Sequence, residues 1–159
     1  ALARHFEDLA RRPFLAGEDG VRLSLAGGQQ KTALAVLGAD GHPRLGLPSS
    51  DDRVCIPMHG APSTVIIKPD NDRLPGIVEN EAFCLTLART IGLDAAQVGI
   101  RPAGRRNALV VERYDRGLRQ DGGLRRFHQE DFAQVNALFP AQKYERGTLQ
   151  GPSLPTLLR

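Results

Sequence analysis

The stretch Pro62–Ala88, PSTVIIKPDNDRLPGIVENEAFCLTLA, decides the fold. It opens with Ser63–Pro69, in which Val65, Ile66 and Ile67 follow one another without a polar interruption. A short β-branched run of this kind reads as a strand buried on both faces. Lys68 stands at its end, where an ammonium can reach the edge of a cavity. The loop DNDRLPG follows. The segment Val78–Leu93, VENEAFCLTLARTIGL, then carries apolar residues at helical spacing. Cys84, Leu85 and Ala88 form one row and Phe83, Leu87 and Ile91 the next, giving a wide apolar stripe with Gly92 as its terminator.

Outward from this unit the chain is rich in strands. Upstream, Val21–Gly27 (VRLSLAG) alternates Val21, Leu23 and Leu25 with Arg22, Ser24 and Ala26, the pattern of a half-buried strand. Lys31–Gly38 (KTALAVLG) is a second strand, joined to the first by Gly27-Gly28-Gln29-Gln30 as a hairpin. Residues 39–53 read as loop. Downstream, QVGIRPAG and Arg106–Arg116 (RNALVVERYDR) are two strands around an Ala-Gly-Arg-Arg turn, RGLRQDGG is a loop, and His128–Phe139 is a second helix. Residues 1–12 read as an amphipathic helix through Leu2, Phe6 and Leu9, closed by Pro13 and a Gly-bearing linker. Several antiparallel strands around one inserted helix make an α+β layer.

Composition narrows the classes. The chain has 159 residues, 41% hydrophobic and 25% charged, with 17 Gly and 11 Pro, which excludes collagen-like, coiled-coil and wholly disordered chains. No apolar run approaches the ~20 residues of a membrane span, and the N-terminus lacks the apolar centre of a secretory signal. Cys55 and Cys84 have no metal-ligand spacing and read as reduced core thiols of a cytoplasmic protein. The net charge is +3, and basic residues are 18 arginines against three lysines, Lys31, Lys68 and Lys143. The chain starts at Ala1 and its one methionine is Met58, which reads as a trimmed or partial piece, as does the apolar segment interrupted at Arg159.

Four features carry chemistry. The Gly27-Gly28 turn lets backbone N–H groups approach a phosphate, and Lys31 adds a point charge; an ordinary tight hairpin is the alternative. Lys68, following three apolar residues, asks for a carboxylate or phosphate, unless it snorkels to water. Glu81 shares a helix face with Leu85 and Ala88 and so asks for a cation. Glu79 is the fallback partner, and either could instead be an exposed first-turn acid. Finally, the apolar strand ending in Glu112-Arg113-Tyr114-Asp115 suits a connector between two lobes, with backbone groups available to an adenine edge. In this order the four match a protein-kinase small lobe: a glycine-bearing hairpin, a strand lysine, a helix glutamate and a hinge strand.

The chain resembles the HipA family of bacterial serine/threonine kinase toxins. The resemblance rests on Arg22–Leu34, Cys55–Pro57, Pro62–Pro69, Val78–Ala88, Leu109–Arg116, Arg126–Gln134 and Lys143–Leu154, which are collinear and cover nearly everything after Val21. It implies a kinase-like small lobe over 19–116, preceded by the tail of an N-terminal subdomain (1–18) and followed by the first helices of a helical large lobe (117–159). It implies that Ala26, Gly27, Gly28, Gln29, Gln30 and Lys31 cradle the phosphates of ATP, that Lys68 binds them, and that Glu112, Arg113 and Tyr114 receive adenine. Ser24 matches the serine whose autophosphorylation silences the kinase. Gly28-Gln29-Gln30-Lys31 departs from the Ala, Gln, acidic, Lys order frequent in the family.

The resemblance further implies Mg²⁺ held by residues outside this chain and glutamyl-tRNA synthetase as substrate class. It also implies restraint by a helix-turn-helix, HipB-like antitoxin through which operator DNA is reached. His128, Asp131 and Asn136 mimic a catalytic-loop spacing, but they fall on the second helix only nineteen residues past Glu112, so Asp131 is not read as catalytic. The isolated chain is therefore expected to be inactive. Two other readings stand beside this one: a non-catalytic regulatory module, and a small nucleic-acid-binding domain motivated by the arginines.

Overall fold

The computed structural model describes residues 29–71 and 73–142. The helix expected over 1–12, the strand over Val21–Gly27 and the apolar end of the chain lie outside these residues, as do Ser24, Ala26, Gly27, Gly28 and Lys143.

The centre of the fold is the pairing of β4 (Val65–Pro69) with β6 (Arg106–Glu112). They run antiparallel, with Val65 opposite Glu112 and Pro69 opposite Ala108. β1 (Thr32–Leu37) and β5 (Val98–Ala103) flank them, and the short β2 (Pro43–Arg44) extends the sheet to the order β2-β1-β4-β6-β5. β1 is shared along its length: Thr32–Leu34 pair with β4, and Ala35–Leu37 pair with β3 (Arg53–Cys55). All pairings are antiparallel, so the architecture is α+β, a curled antiparallel sheet with few helices.

The period of two in a strand sends its residues to two different cores. Leu34, Val36, Val65, Ile67, Ala103, Ala108 and Val110 fill one face, with Leu47, Val54 and Ile56 packed against them. Leu109, Val111 and Ile66 face the other way, under Val78 and Ala82 of the helix α1 (Ile77–Thr90). Ser63–Pro69 was expected to be buried on both faces; in fact Ile66 and Lys68 are only half-buried, because α1 covers that face incompletely.

α1 ends as Gly92 foretells. The Gly92 N–H bonds the Arg89 carbonyl at 3.0 Å, the Leu93 N–H bonds the Ala88 carbonyl at 2.9 Å, and Gly92 takes φ +87°, a Schellman closure. The expected apolar stripe is half right. Val78, Ala82 and Leu85 turn inward, whereas Phe83, Leu87 and Ile91 are 65%, 47% and 67% exposed and Cys84 is exposed too. One sheet face covers one row of a helix; the second row, and Cys84 with it, is not core among the described residues.

Two expectations are corrected. The RGLRQDGG stretch forms the first strand and turn of a β-hairpin, β7 (Arg116–Leu118) with β8 (Leu124–Arg126) just beyond it, with Gly122 at φ +77°. The second helix spans only Phe132–Val135, our α2, and is followed by a 3₁₀ turn at Pro140–Gln142. Asp131 starts α2 and Ala137, at φ +55°, stops it with the same closure as α1, its N–H on the Gln134 carbonyl and that of Leu138 on the Ala133 carbonyl. Local capping overrides the periodicity of Phe132, Val135 and Phe139, which remain exposed. The chain divides into two compact units, one ending at Arg126 and one beginning at Phe127.

Candidate nucleotide-phosphate site

Lys68 is the fourth residue of β4, on the face that carries α1, opposite Leu109. Glu81 lies one turn into α1 and turns inward. The Lys68 ammonium donates to Glu81 Oε1, and both side chains are largely shielded, at 20% and 25% exposure. Glu79, the alternative partner, accepts from Asn107 Nδ2 at 2.9 Å instead, and this bond holds its carboxyl below the usual range.

Register brings a second lysine to the same place. Thr32 pairs with Ile67, so one step further Lys31 falls across from Lys68. Opposed residues in an antiparallel pair point to one face. The Lys31 ammonium is accordingly pushed below the usual lysine value, first by desolvation and then by the charge of Lys68, which outweighs the opposing pull of Glu81. Two residues earlier in the chain, Gln29 Nε2 is buried without a hydrogen-bond partner among the described residues. Two neighbouring ammoniums and a buried amide donor give this place a donor-rich, positive character that suits an oxyanion. Gln30 is exposed.

The end of β6 and the residues after it are tied into the sheet and to one another. The Glu112 N–H bonds the Gln97 carbonyl and the Arg113 N–H bonds the Thr64 carbonyl, both at 2.9 Å. The Arg113 guanidinium turns to Asp115, with Nε on Oδ1 at 2.9 Å and Nη2 on Oδ2 at 2.6 Å. Tyr114 is 75% exposed. Burial alone would raise the Asp115 carboxyl, but its hydrogen bonds and charge pairing with Arg113 and Arg116 bring it below the usual range. Sequence reasoning passed over Asp115, Arg116, Ser63 and Thr64; the alternation Arg-x-Asp-Arg was the available signal. A cleft of about 450 Å³ is lined by Arg89, Asp94 to Gln97, Glu112 and Tyr114. It does not include Lys31, Lys68 or Glu81.

Asp131 has a structural role. Its carboxylate accepts from the Gln134 N–H at 2.9 Å while the Gln134 side chain accepts from the Asp131 N–H at 2.8 Å, a capping box. Asn136 Nδ2 is spent on the Phe132 carbonyl. Asp131→Ala is expected to cost the short helix about 1 kcal/mol, seen as faster amide exchange at Gln134, with nucleotide affinity unchanged. Among the described residues no group of three or more His, Cys, Asp or Glu gathers to hold a metal, and no helix is long and apolar enough to cross a membrane.

Comparison with known proteins adds the family. The HipA-like C-terminal domain matches residues 23–158. The protein named "Putative kinase Y4mE" of Sinorhizobium fredii (strain NBRC 101917 / NGR234) is 44% identical over 143 residues, covering 90% of this chain and 31% of that protein. The serine/threonine-protein kinase toxin HipA of Shewanella oneidensis is 31% identical over 117 residues, 67% of this chain and 27% of that protein. The solved complex of Shewanella oneidensis HipA and HipB with operator DNA contains a chain that superposes with a TM-score of 0.62 at 27% identity, covering 93% of this chain and 33% of that one. The chain thus spans about a third of the length of these relatives. With 136 of its 159 residues inside the matched domain, the chain belongs to the HipA-like C-terminal domain family.

Proposed function

We propose that this chain carries the nucleotide-binding part of a serine/threonine protein kinase toxin. The observation that carries the reading is the placement of Lys31 near the Lys68–Glu81 ion pair, two ammoniums gathered where a polyanion could meet both. In this reading the unit up to the hinge is a kinase-like small lobe, and the helical large lobe follows it. Lys68, held by Glu81, and Lys31 take the phosphates of ATP together with Ala26, Gly27, Gly28, Gln29 and Gln30, and the Gln29 amide, buried without a partner among the described residues, is a donor suited to such a ligand. Glu112, Arg113 and Tyr114 offer backbone to adenine. The Arg113 side chain is committed to Asp115 and the Glu112 and Arg113 N–H groups to the Gln97 and Thr64 carbonyls, so in this reading adenine meets the remaining backbone groups of the segment. Mg²⁺, with ligands outside this chain, supplies charge neutralisation at the phosphates.

The names of the relatives support the wider role: a serine/threonine-protein kinase toxin paired with a HipB-like antitoxin and operator DNA; restraint by that antitoxin and a cytoplasmic location are part of the proposal. Glutamyl-tRNA synthetase as substrate and silencing through phosphorylation of Ser24 come from the family resemblance alone. A phosphate there adds about −1.5 to −2 charges, which would repel those of the nucleotide. The 159-residue chain by itself binds but does not transfer phosphate.

Titration calorimetry tests the reading. ATP and tripolyphosphate are both expected to bind the chain. Their affinity falls with added salt. It also falls as pH rises through the lowered Lys31 value, sooner than for an ordinary lysine, because only the protonated ammonium attracts phosphate. Absence of binding by both ligands would overturn it.

A further inference from the structure

A shielded charge cluster sits beside the hinge. Asp115, only 7% exposed, takes both nitrogens of the Arg113 fork and also Nη1 of Arg116, at 2.7 Å. Arg116 carries the connection onward, donating Nε to the Ser63 carbonyl at 2.7 Å and Nη1 to the Asp115 carbonyl at 2.9 Å. Its neighbour Thr64 is fully buried and holds three further bonds. It accepts the Arg113 N–H at 2.9 Å, donates its own N–H to the Leu34 carbonyl at 2.8 Å, and accepts the Val36 N–H on Oγ1 at 2.9 Å. These bonds run unbroken from β1, which begins one residue after Lys31, through Ser63 and Thr64 to the backbone of the hinge.

We infer that Asp115 is a positioning residue for nucleotide binding: through Arg113 and Arg116 it fixes where Glu112–Tyr114 stands relative to the Lys31 and Lys68 ammoniums. A purine triphosphate must touch both ends at once, so the separation of the two ends decides whether base and phosphates bind together. The Asp115 carboxylate is taken up by Arg113 and Arg116, and Asp115 sits three residues beyond the last strand residue. Without its charge, two shielded guanidiniums face one another and the segment is released, while the β-ladder around Lys68 keeps its own bonds. The inference rests on the nucleotide reading above.

Two substitutions in the full chain separate the roles. Asp115→Asn keeps the volume and removes the charge; Arg116→Lys keeps the charge and removes the Ser63 bond. Two probes are titrated: ATP, which spans hinge and lysines, and tripolyphosphate, which meets only the lysines. Each variant is expected to weaken ATP about tenfold, the worth of one charged hydrogen bond, and to leave tripolyphosphate within about twofold. Equal loss for both probes means a purely structural role, and unchanged ATP affinity means no role; either overturns the inference. Wild-type chain that binds neither probe defeats the nucleotide reading and the positioning role with it, a result distinct from the other two. If Asp115→Asn does not fold, Arg116→Lys decides by the same pair of titrations.

Discussion

Lys68→Met is expected to weaken ATP binding about 100-fold or more while the chain remains folded. The ammonium bonds Glu81 and faces Lys31 across the strand pair. Its removal takes away a charge-assisted contact, worth about 1.5–3 kcal/mol, and leaves the Glu81 carboxylate beside the incoming phosphates as a repelling group. Glu81→Gln should cost less, because Lys68 keeps its charge and loses only its orientation. The double substitution should then be milder than the sum of the two singles, since the uncompensated carboxylate is gone. Lys68→Arg should not restore binding: a planar fork does not fit where a compact ammonium sits between a strand and a helix. Calorimetry on the four variants measures this, and unchanged ATP affinity in Lys68→Met would contradict it.

The second large effect is on stability. Leu109 is fully buried in the middle of β6, opposite Lys68, and belongs to the cluster that seats α1 on the sheet. Leu109→Ala should cost about 2–5 kcal/mol, because the transfer term and the cavity term add at a site that cannot collapse. That is a large share of the ~5–15 kcal/mol that holds a typical domain together. Phe83→Ala, on the uncovered row of the same helix, removes a larger side chain yet should stay within about 0.5 kcal/mol. Urea denaturation of both distinguishes them. Equal midpoints would mean that the two rows of α1 are not divided as described.

The elements readable in the sequence were those with enough residues to show a period. β4 and β6, with their apolar runs, and α1, with its Gly92 closure, appear where pattern and turn chemistry agree. β2, β3, β7 and β8 are two or three residues long, too short for alternation to register; β2 was read into the loop over 39–53 and β7 into RGLRQDGG. The second helix failed for the opposite reason: the period of Phe132, Val135 and Phe139 was clear, but an Asp131 cap and a left-handed Ala137 confine it to a single turn. Periodicity reports which residues would share a face, and only tertiary packing decides whether that face is used.

The candidate site divides along the same line. Lys68 and Glu81 could be matched in advance because each is a charge on an otherwise apolar surface, and such a charge calls for an opposite one. That Lys31 faces Lys68 depends on strand register, which no local pattern states. The Arg113–Asp115–Arg116 cluster falls in the end of the stretch read as a strand over Arg106–Arg116, which in fact stops at Glu112, and its partner Ser63 is fifty residues away from Arg113. The lysine scarcity did carry information: of three lysines, the two within the described residues stand across from each other.

That scarcity makes the most direct measurement simple. An acyl-phosphate derivative of ATP transfers a tag to lysines lying beside bound phosphates, and peptide mass spectrometry reads which lysine is tagged. The expected result is tagging of Lys68 and Lys31, suppressed by excess ATP, with Lys143 tagged weakly and without competition. Tagging that ATP does not suppress, or tagging of Lys143 alone, would contradict the assignment of the phosphate site.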